Sequence, residues 1–191
     1  MMSSFANRRK CVFLIGFSGS GKSTLGPLLA RRLKLSFHDT DALIEHRSGK
    51  NVDRIFTEDR EVVFRRLEEE VISNLLTSGQ SRMVIALGGG AFACERNRRR
   101  IQENGVVVYL GCSTRELYRR LAGQGERPLL RVQPRKGETL RQARLRRIKR
   151  LRQQRRAVYA MADIKVSTTD RTVSQTVQLL DKRIRTWYDH H

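Results

Sequence analysis

No run of about 18 apolar residues occurs anywhere in the 191-residue chain, which excludes an ordinary membrane-spanning helix. Cysteine is sparse. Cys11, Cys94 and Cys112 are odd in number and form no C-x-x-C spacing, so neither a disulfide framework nor a zinc site is indicated, and a reducing cytoplasm fits. Residues 1–10 are too short and polar for a signal or transit peptide. No repeat and no low-complexity linker divides the chain, so the expectation is one α/β domain over residues 1–191.

Acidic residues are also scarce, with 19 Asp and Glu against 39 Lys and Arg and a net charge of +20. The imbalance is uneven: residues 1–70 carry 13 basic against 10 acidic side chains, and residues 71–191 carry 26 against 9. Residues 135–156 hold eleven basic residues and a single acid, Glu138. Three readings are open: phosphate contacts to a nucleic acid, a solvated helix face, or arginines lining a site for anionic substrates. Leu140, Leu145, Ile148 and Leu151 supply an intermittent apolar stripe under the arginines, and no aromatics interleave to make a base-stacking platform. Solvated face plus substrate site is the favoured combination, and a nucleic-acid partner is not expected.

What the chain does have is Gly16-Phe17-Ser18-Gly19-Ser20-Gly21-Lys22-Ser23, directly after the apolar run 11–15. The stretch meets G-x-x-x-x-G-K-[ST] at every fixed position and lies between a strand-like and a helix-like segment. In such a loop several backbone N–H groups converge on one anion, and the following helix start adds a favourable dipole. Gly19, Ser20, Gly21, Lys22, Ser23 and Thr24 are therefore the expected nucleotide-phosphate site. Lys22 can reach the β- and γ-phosphates of a bound ATP, and the Ser23 hydroxyl can ligate Mg²⁺.

Strand-like runs at 11–15, 35–38, 83–87, 106–110 and 163–166 alternate with helical periodicity at 24–33, 41–47, 60–77, 113–122, about 138–161 and 172–186. Alternation of this kind predicts a parallel sheet covered on both faces, with ligands at the carboxyl ends of the strands. Residues 123–137, with two prolines and three glycines, form one long irregular stretch of the sort used as a lid.

The phosphate loop alone leaves ATPases, GTPases and small-molecule kinases open. No Asn-Lys-x-Asp guanine reader is present, and the run 83–87 ends in Gly88-Gly89-Gly90 where many P-loop ATPases place a carboxylate. Asp39-Thr40-Asp41, at the end of the second strand, is the obvious source of acid: one carboxylate toward Mg²⁺ and its waters, one toward an acceptor hydroxyl. The triple glycine lets a substrate approach the backbone. Arginines near the same edge suit an acceptor bearing a carboxylate, which guanidinium grips in a two-pronged pair.

These residues resemble shikimate kinase over nearly the whole chain. The similarity rests on the phosphate loop with Ser23-Thr24-Leu25-Gly26, Phe37-x-Asp39-Thr40-Asp41-x-x-Ile44-Glu45, Ile55-Phe56, Glu61-x-x-Phe64-Arg65-x-x-Glu68, Val84-Ile85-Ala86-x-Gly88-Gly89-Gly90, Arg127-Pro128-Leu129-Leu130 and Arg155-x-x-x-Tyr159. It implies a three-layer P-loop kinase fold with a central five-stranded parallel sheet and a mobile lid at about 120–137. It implies ATP and shikimate as substrates, Mg²⁺ as cofactor, no membrane and a monomer. The acceptor-binding region would be about 39–70. Asp41 would bind the ring hydroxyls and take the proton of the attacking one. Arg65 and Arg155 would clamp the carboxylate beside Gly88, Gly89 and Gly90. Arg127 would reach the transferring phosphate, Arg120 would stack on adenine, and Ser23 and Asp39 would serve the metal. Phe56 and Phe64 would wall the ring, and Glu68 would orient the arginines. A kinase of another hydroxy acid, such as gluconate, shares the loop and general fold and remains an alternative, as does a nucleic-acid-binding P-loop protein.

Two departures stand out. Arg60 occupies the place where the family usually carries glycine, where it would add an anion contact or start the helix differently; with Asp59 and Glu61 as immediate neighbours, the second is the expectation. The stretch from Arg127 to Arg155 is also several residues longer than is typical, which suggests a larger lid.

Overall fold

Five apolar runs pair into a single all-parallel sheet, because helical crossovers bring every strand back in the same direction. The structure, a computed structural model, describes residues 11–78, 82–122 and 132–191. The strands are β1 (Cys11–Ile15), β2 (Ser36–Asp39), β3 (Met83–Ala86), β4 (Gly105–Gly111) and β5 (Ile164–Ser167), in the spatial order β2-β3-β1-β4-β5. Central β1 sets the register, with Phe13 opposite Ile85 on one side and Val107 on the other. Its residues are buried throughout, as expected for a strand covered on both faces.

Alternate side chains feed two cores. Val12 and Leu14 face α1 (Lys22–Leu33) and α8 (Val173–Asp189) through Leu25, Leu29, Leu180 and Ile184. Phe13 and Ile15 face the other layer through Ile72 of α4 (Arg60–Thr77), Ile101 of α5 (Glu95–Asn104) and Tyr159 of α7 (Leu140–Ala160). Two smaller clusters hold the parts above the carboxyl edge. Phe17, Leu117, Leu121, Ile148 and Leu151 join α6 (Thr114–Ala122) to α7. Ile44, Ile55, Phe64 and Val71 join α2 (Thr40–Ser48), the short α3 (Val52–Arg54) and α4. No helix among the described residues is long and apolar enough to cross a membrane.

The strands and the longer helices fall close to the periodicity-based bounds. Helix α5 was not expected: its four arginines leave Ile101 as its one buried aliphatic, too little for an apolar stripe. A π-helical turn at Ile55–Asp59, just before α4, had no sequence signal either. Its exit carries Arg60 at φ 69° and ψ 160°, a region essentially reserved for glycine. The helix thus keeps the backbone a glycine would take, with arginine installed in it. Neither acidic neighbour answers the charge, since Asp59 pairs with Lys50 at 2.7 Å and Glu61 with Arg65 at 3.0 Å.

Candidate active site

Strands β1, β2 and β3 deliver the phosphate loop, Asp39 and the triple glycine to one edge of the sheet. The loop closes on itself with Ser20 N–H donating to the Phe17 carbonyl at 3.0 Å. Gly21, the N-cap of α1, sits at φ 99°, so a side chain there would be strained. Lys22 Nζ donates to the Gly16 carbonyl at 3.0 Å, which lays the ammonium along the loop. Ser23 Oγ donates to Asp39 Oδ2 at 2.6 Å. Asp39 also caps α2, its Oδ1 accepting from Asp41 N–H at 3.1 Å. One carboxylate therefore fixes both the Ser23 hydroxyl and the start of the helix that aims Asp41.

A cavity of about 610 Å³ opens from this loop and extends to Asp41 at one end and to Arg120, Thr172 and Val173 at the other. The volume lies within the ordinary range for small-molecule sites. Arg120 is held by four bonds: Nε to Glu116 at 2.8 Å, Nη1 to the Gly19 carbonyl at 3.3 Å and to Thr168 Oγ1 at 3.2 Å, and Nη2 to the Thr168 carbonyl at 2.9 Å. The two arginines Arg119 and Arg120 draw the Glu116 carboxyl down to about 2, so it stays ionised as their anchor. With its edge donors occupied, the Arg120 guanidinium offers its flat face.

At the acceptor end, two buried carboxylate oxygens, one from half-buried Asp41 and one from buried Glu68, meet over Gly88. A Cβ on Gly88 would lie 2.6 Å from Asp41 Oδ1 and 2.6 Å from Glu68 Oε1, which glycine alone permits. Neither oxygen has a hydrogen-bond partner among the described residues. Burial lifts the Asp41 carboxyl above the ordinary carboxylate range and Asp39 adds to the rise, while Lys22 and Arg65 pull it back. Burial likewise raises Glu68, opposed chiefly by Arg65. Glu68 is fully buried and takes Arg65 Nη1 at 2.9 Å through its other oxygen. Arg65 in turn reaches over Gly90, and Arg155 over Gly89 with Nη1 2.9 Å from where a Cβ would be. Arg155 Nη1 is buried with no hydrogen-bond partner among the described residues, whereas Arg156 is exposed. Phe56 and Phe64 stand side by side at 4.6 Å, with Phe64 in the core.

The structure thus gathers Lys22, Ser23, Asp39, Asp41, Arg65, Gly88, Gly89, Gly90 and Arg155 at one edge, with Arg120 lining the same cavity as the phosphate loop. Arg127 lies outside the described residues, as do 123–131 of the expected lid. Sequence reasoning missed Thr40, Glu116, Thr168 and the hydroxyl of Tyr159. Buried Thr40 accepts the Gly88 N–H at 2.9 Å, so that amide is not available to a substrate. The i,i+4 spacing of Glu116 and Arg120 was the one usable signal among these.

A phosphate loop feeding a parallel sheet, with a cavity that runs from the loop to Asp41 and a cluster of arginines and carboxylates at the same edge, makes this a P-loop kinase by fold. The family model for shikimate kinase matches residues 18–185. The shikimate kinase of Chlorobium limicola is 41% identical over 174 residues, spanning 91% of this chain and 85% of its own. That of Persephonella marina is 38% identical over 174 residues, spanning 91% and 98%. A shikimate kinase from Acinetobacter baumannii, solved in complex with shikimate, superposes with a TM-score of 0.82 at 30% identity, covering 93% of this chain and 94% of that one. The chain belongs to the shikimate kinase family.

Proposed function

We infer that the protein transfers the γ-phosphoryl group of ATP to the 3-hydroxyl of shikimate, giving shikimate 3-phosphate and ADP. The observation that carries this reading is a buried Asp41 oxygen, without a hydrogen-bond partner among the described residues, in reach of the charges of Lys22 on the phosphate loop and of Arg65 at the triple glycine. Arg65 and Arg155 take the acceptor carboxylate, which fixes the ring and brings one hydroxyl to Asp41. Asp41 accepts the proton as the hydroxyl oxygen bonds to phosphorus, and the bond from phosphorus to the bridging oxygen breaks to release ADP. Lys22 neutralises the transferring charge from the loop side. Arg127 does so from the lid by its place in the motif, and Arg120 offers its face to adenine.

The Ser23 hydroxyl and Asp39 carboxylate, 2.6 Å apart at the start of α1, are the hard oxygen donors that suit Mg²⁺. When bound, Mg²⁺ supplies charge neutralisation at the β- and γ-phosphates. In this reading the working unit is the whole of residues 1–191, with loop 16–23, acceptor region 39–70 and lid 120–137. It acts as a cytoplasmic monomer, and nucleic acid has no part in it. The test is Asp41→Asn and Arg65→Ala: each loses shikimate turnover while ATP binding, measured by titration, survives. Retained turnover in both variants contradicts the site assignment.

A further inference from the structure

Tyr159 contributes a hydroxyl that the reaction above does not use. It lies on α7, is 6% exposed, and stacks on Tyr109 with ring centroids 4.8 Å apart. Its hydroxyl donates to the Gly89 carbonyl at 3.2 Å. One turn earlier on the same helix, Arg155 reaches over the same glycine. The helix thus meets the triple-glycine loop twice, through the close approach of Arg155 and through the hydrogen bond from Tyr159.

The consequence follows from peptide geometry. No peptide bond among the described residues is cis, and in a trans peptide the C=O and the next N–H point in opposite directions. With the Gly89 oxygen held toward Tyr159, the Gly90 N–H is turned away from it. That amide makes no hydrogen bond among the described residues, and neither does Gly89 N–H. The Gly88 N–H is tied to Thr40 and the Gly90 carbonyl accepts from Ala93 N–H at 2.9 Å, so the loop is pinned on both sides of the 89–90 peptide. Gly90 is also the glycine over which Arg65 reaches.

We propose that Tyr159 is a positioning residue for the acceptor site. Its hydroxyl fixes the Gly89–Gly90 peptide so that the Gly90 N–H joins Arg65 and Arg155 as a donor to the acceptor carboxylate. The proposal rests on the acceptor reading given above. Burial lifts the phenol above its ordinary range, and Arg155 draws it back by its charge and by a hydrogen bond to the phenol oxygen, so the hydroxyl keeps its proton and its donor role across the neutral range.

The test is Tyr159→Phe, which removes one oxygen and keeps the ring on Tyr109. Losing one neutral hydrogen bond corresponds to about a threefold to tenfold change in affinity. The expected result is a rise of that size in KM for shikimate, with kcat and KM for ATP near wild type, and a shift of the Gly89 carbonyl ¹³C resonance in the empty enzyme. Tyr109→Phe, which removes a hydroxyl from the other ring of the stack, is expected to leave the shikimate KM unchanged. An unchanged shikimate KM in Tyr159→Phe overturns the proposal, as does a fall in melting temperature with all kinetic constants intact. The two claims fail separately. Absence of shikimate turnover by wild type defeats the functional reading, whereas the Gly89 resonance, and the Tyr159→Phe to wild-type KM ratio with whichever acid the wild type accepts, judge Tyr159.

Discussion

Replacing Arg60 by glycine should make this protein more stable, against the usual expectation that glycine at a helix start weakens it. The residue holds φ 69° and ψ 160°. A non-glycine residue there is strained by about 1–3 kcal/mol. Glycine removes the strain but gives the unfolded chain more freedom, at about 0.5–1 kcal/mol. The difference is a net gain of about 1 kcal/mol, and for a chain of 150–250 residues each kcal/mol moves the melting midpoint by about 2–4 °C. Removing one positive charge from a chain of net +20 also relieves self-repulsion, so a second variant is needed. Arg60→Ala removes the same charge and keeps the Cβ. The assay is thermal unfolding of wild type, Arg60→Gly and Arg60→Ala in one buffer. Strain as the cause requires Arg60→Gly to melt above both others; equal midpoints for the two variants refute it. The shikimate KM of Arg60→Gly stays near wild type, because the exposed guanidinium makes no hydrogen bond or ion pair among the described residues.

Arg155→Ala should raise the shikimate KM by about tenfold or more, through loss of a charge-assisted contact, while Arg156→Ala leaves it unchanged; steady-state kinetics at saturating ATP separates them. Glu116→Ala releases the edge of Arg120 and should raise the KM for ATP by about threefold to tenfold without moving that for shikimate. Glu68 titrates above its unfolded value in the folded empty enzyme, so its contribution to stability is complete below the unfolded pKa and is lost as pH rises through the folded one. Melting temperatures of Glu68→Gln across pH 4–8 should therefore fall less with rising pH than those of wild type.

The fold was legible in the chain wherever apolar periodicity was strong. β1 is buried on both faces and reads as a continuous apolar run, and α4 carries Phe64, Val71 and Ile72 at helical spacing. Helix α5 was hidden because charge outnumbers its single aliphatic anchor. The phosphate loop and the two aspartates were legible because their chemistry needs fixed residue types at fixed local spacing. Arg155 was harder, since Arg156 has the same chemistry and α7 rotates about 100° per residue, enough to carry one into the site and the other into solvent. Thr40 and Tyr159 were invisible as functional groups, because each acts by holding the backbone of a glycine 48 or 70 residues away. Asp59 and Glu61 beside Arg60 pointed in the sequence to a helix that starts differently there. In the structure both acids pair elsewhere, Asp59 with Lys50 nine residues earlier and Glu61 with the site residue Arg65 one helical turn on.

The most direct test of the whole account is ADP release by the purified protein with ATP and Mg²⁺, followed with shikimate, with gluconate and with no acceptor. Rapid release that requires shikimate and is absent with gluconate is the result expected from Asp41, Arg65 and Arg155 acting as one acceptor site. No shikimate-dependent release from protein that still binds ATP would contradict it.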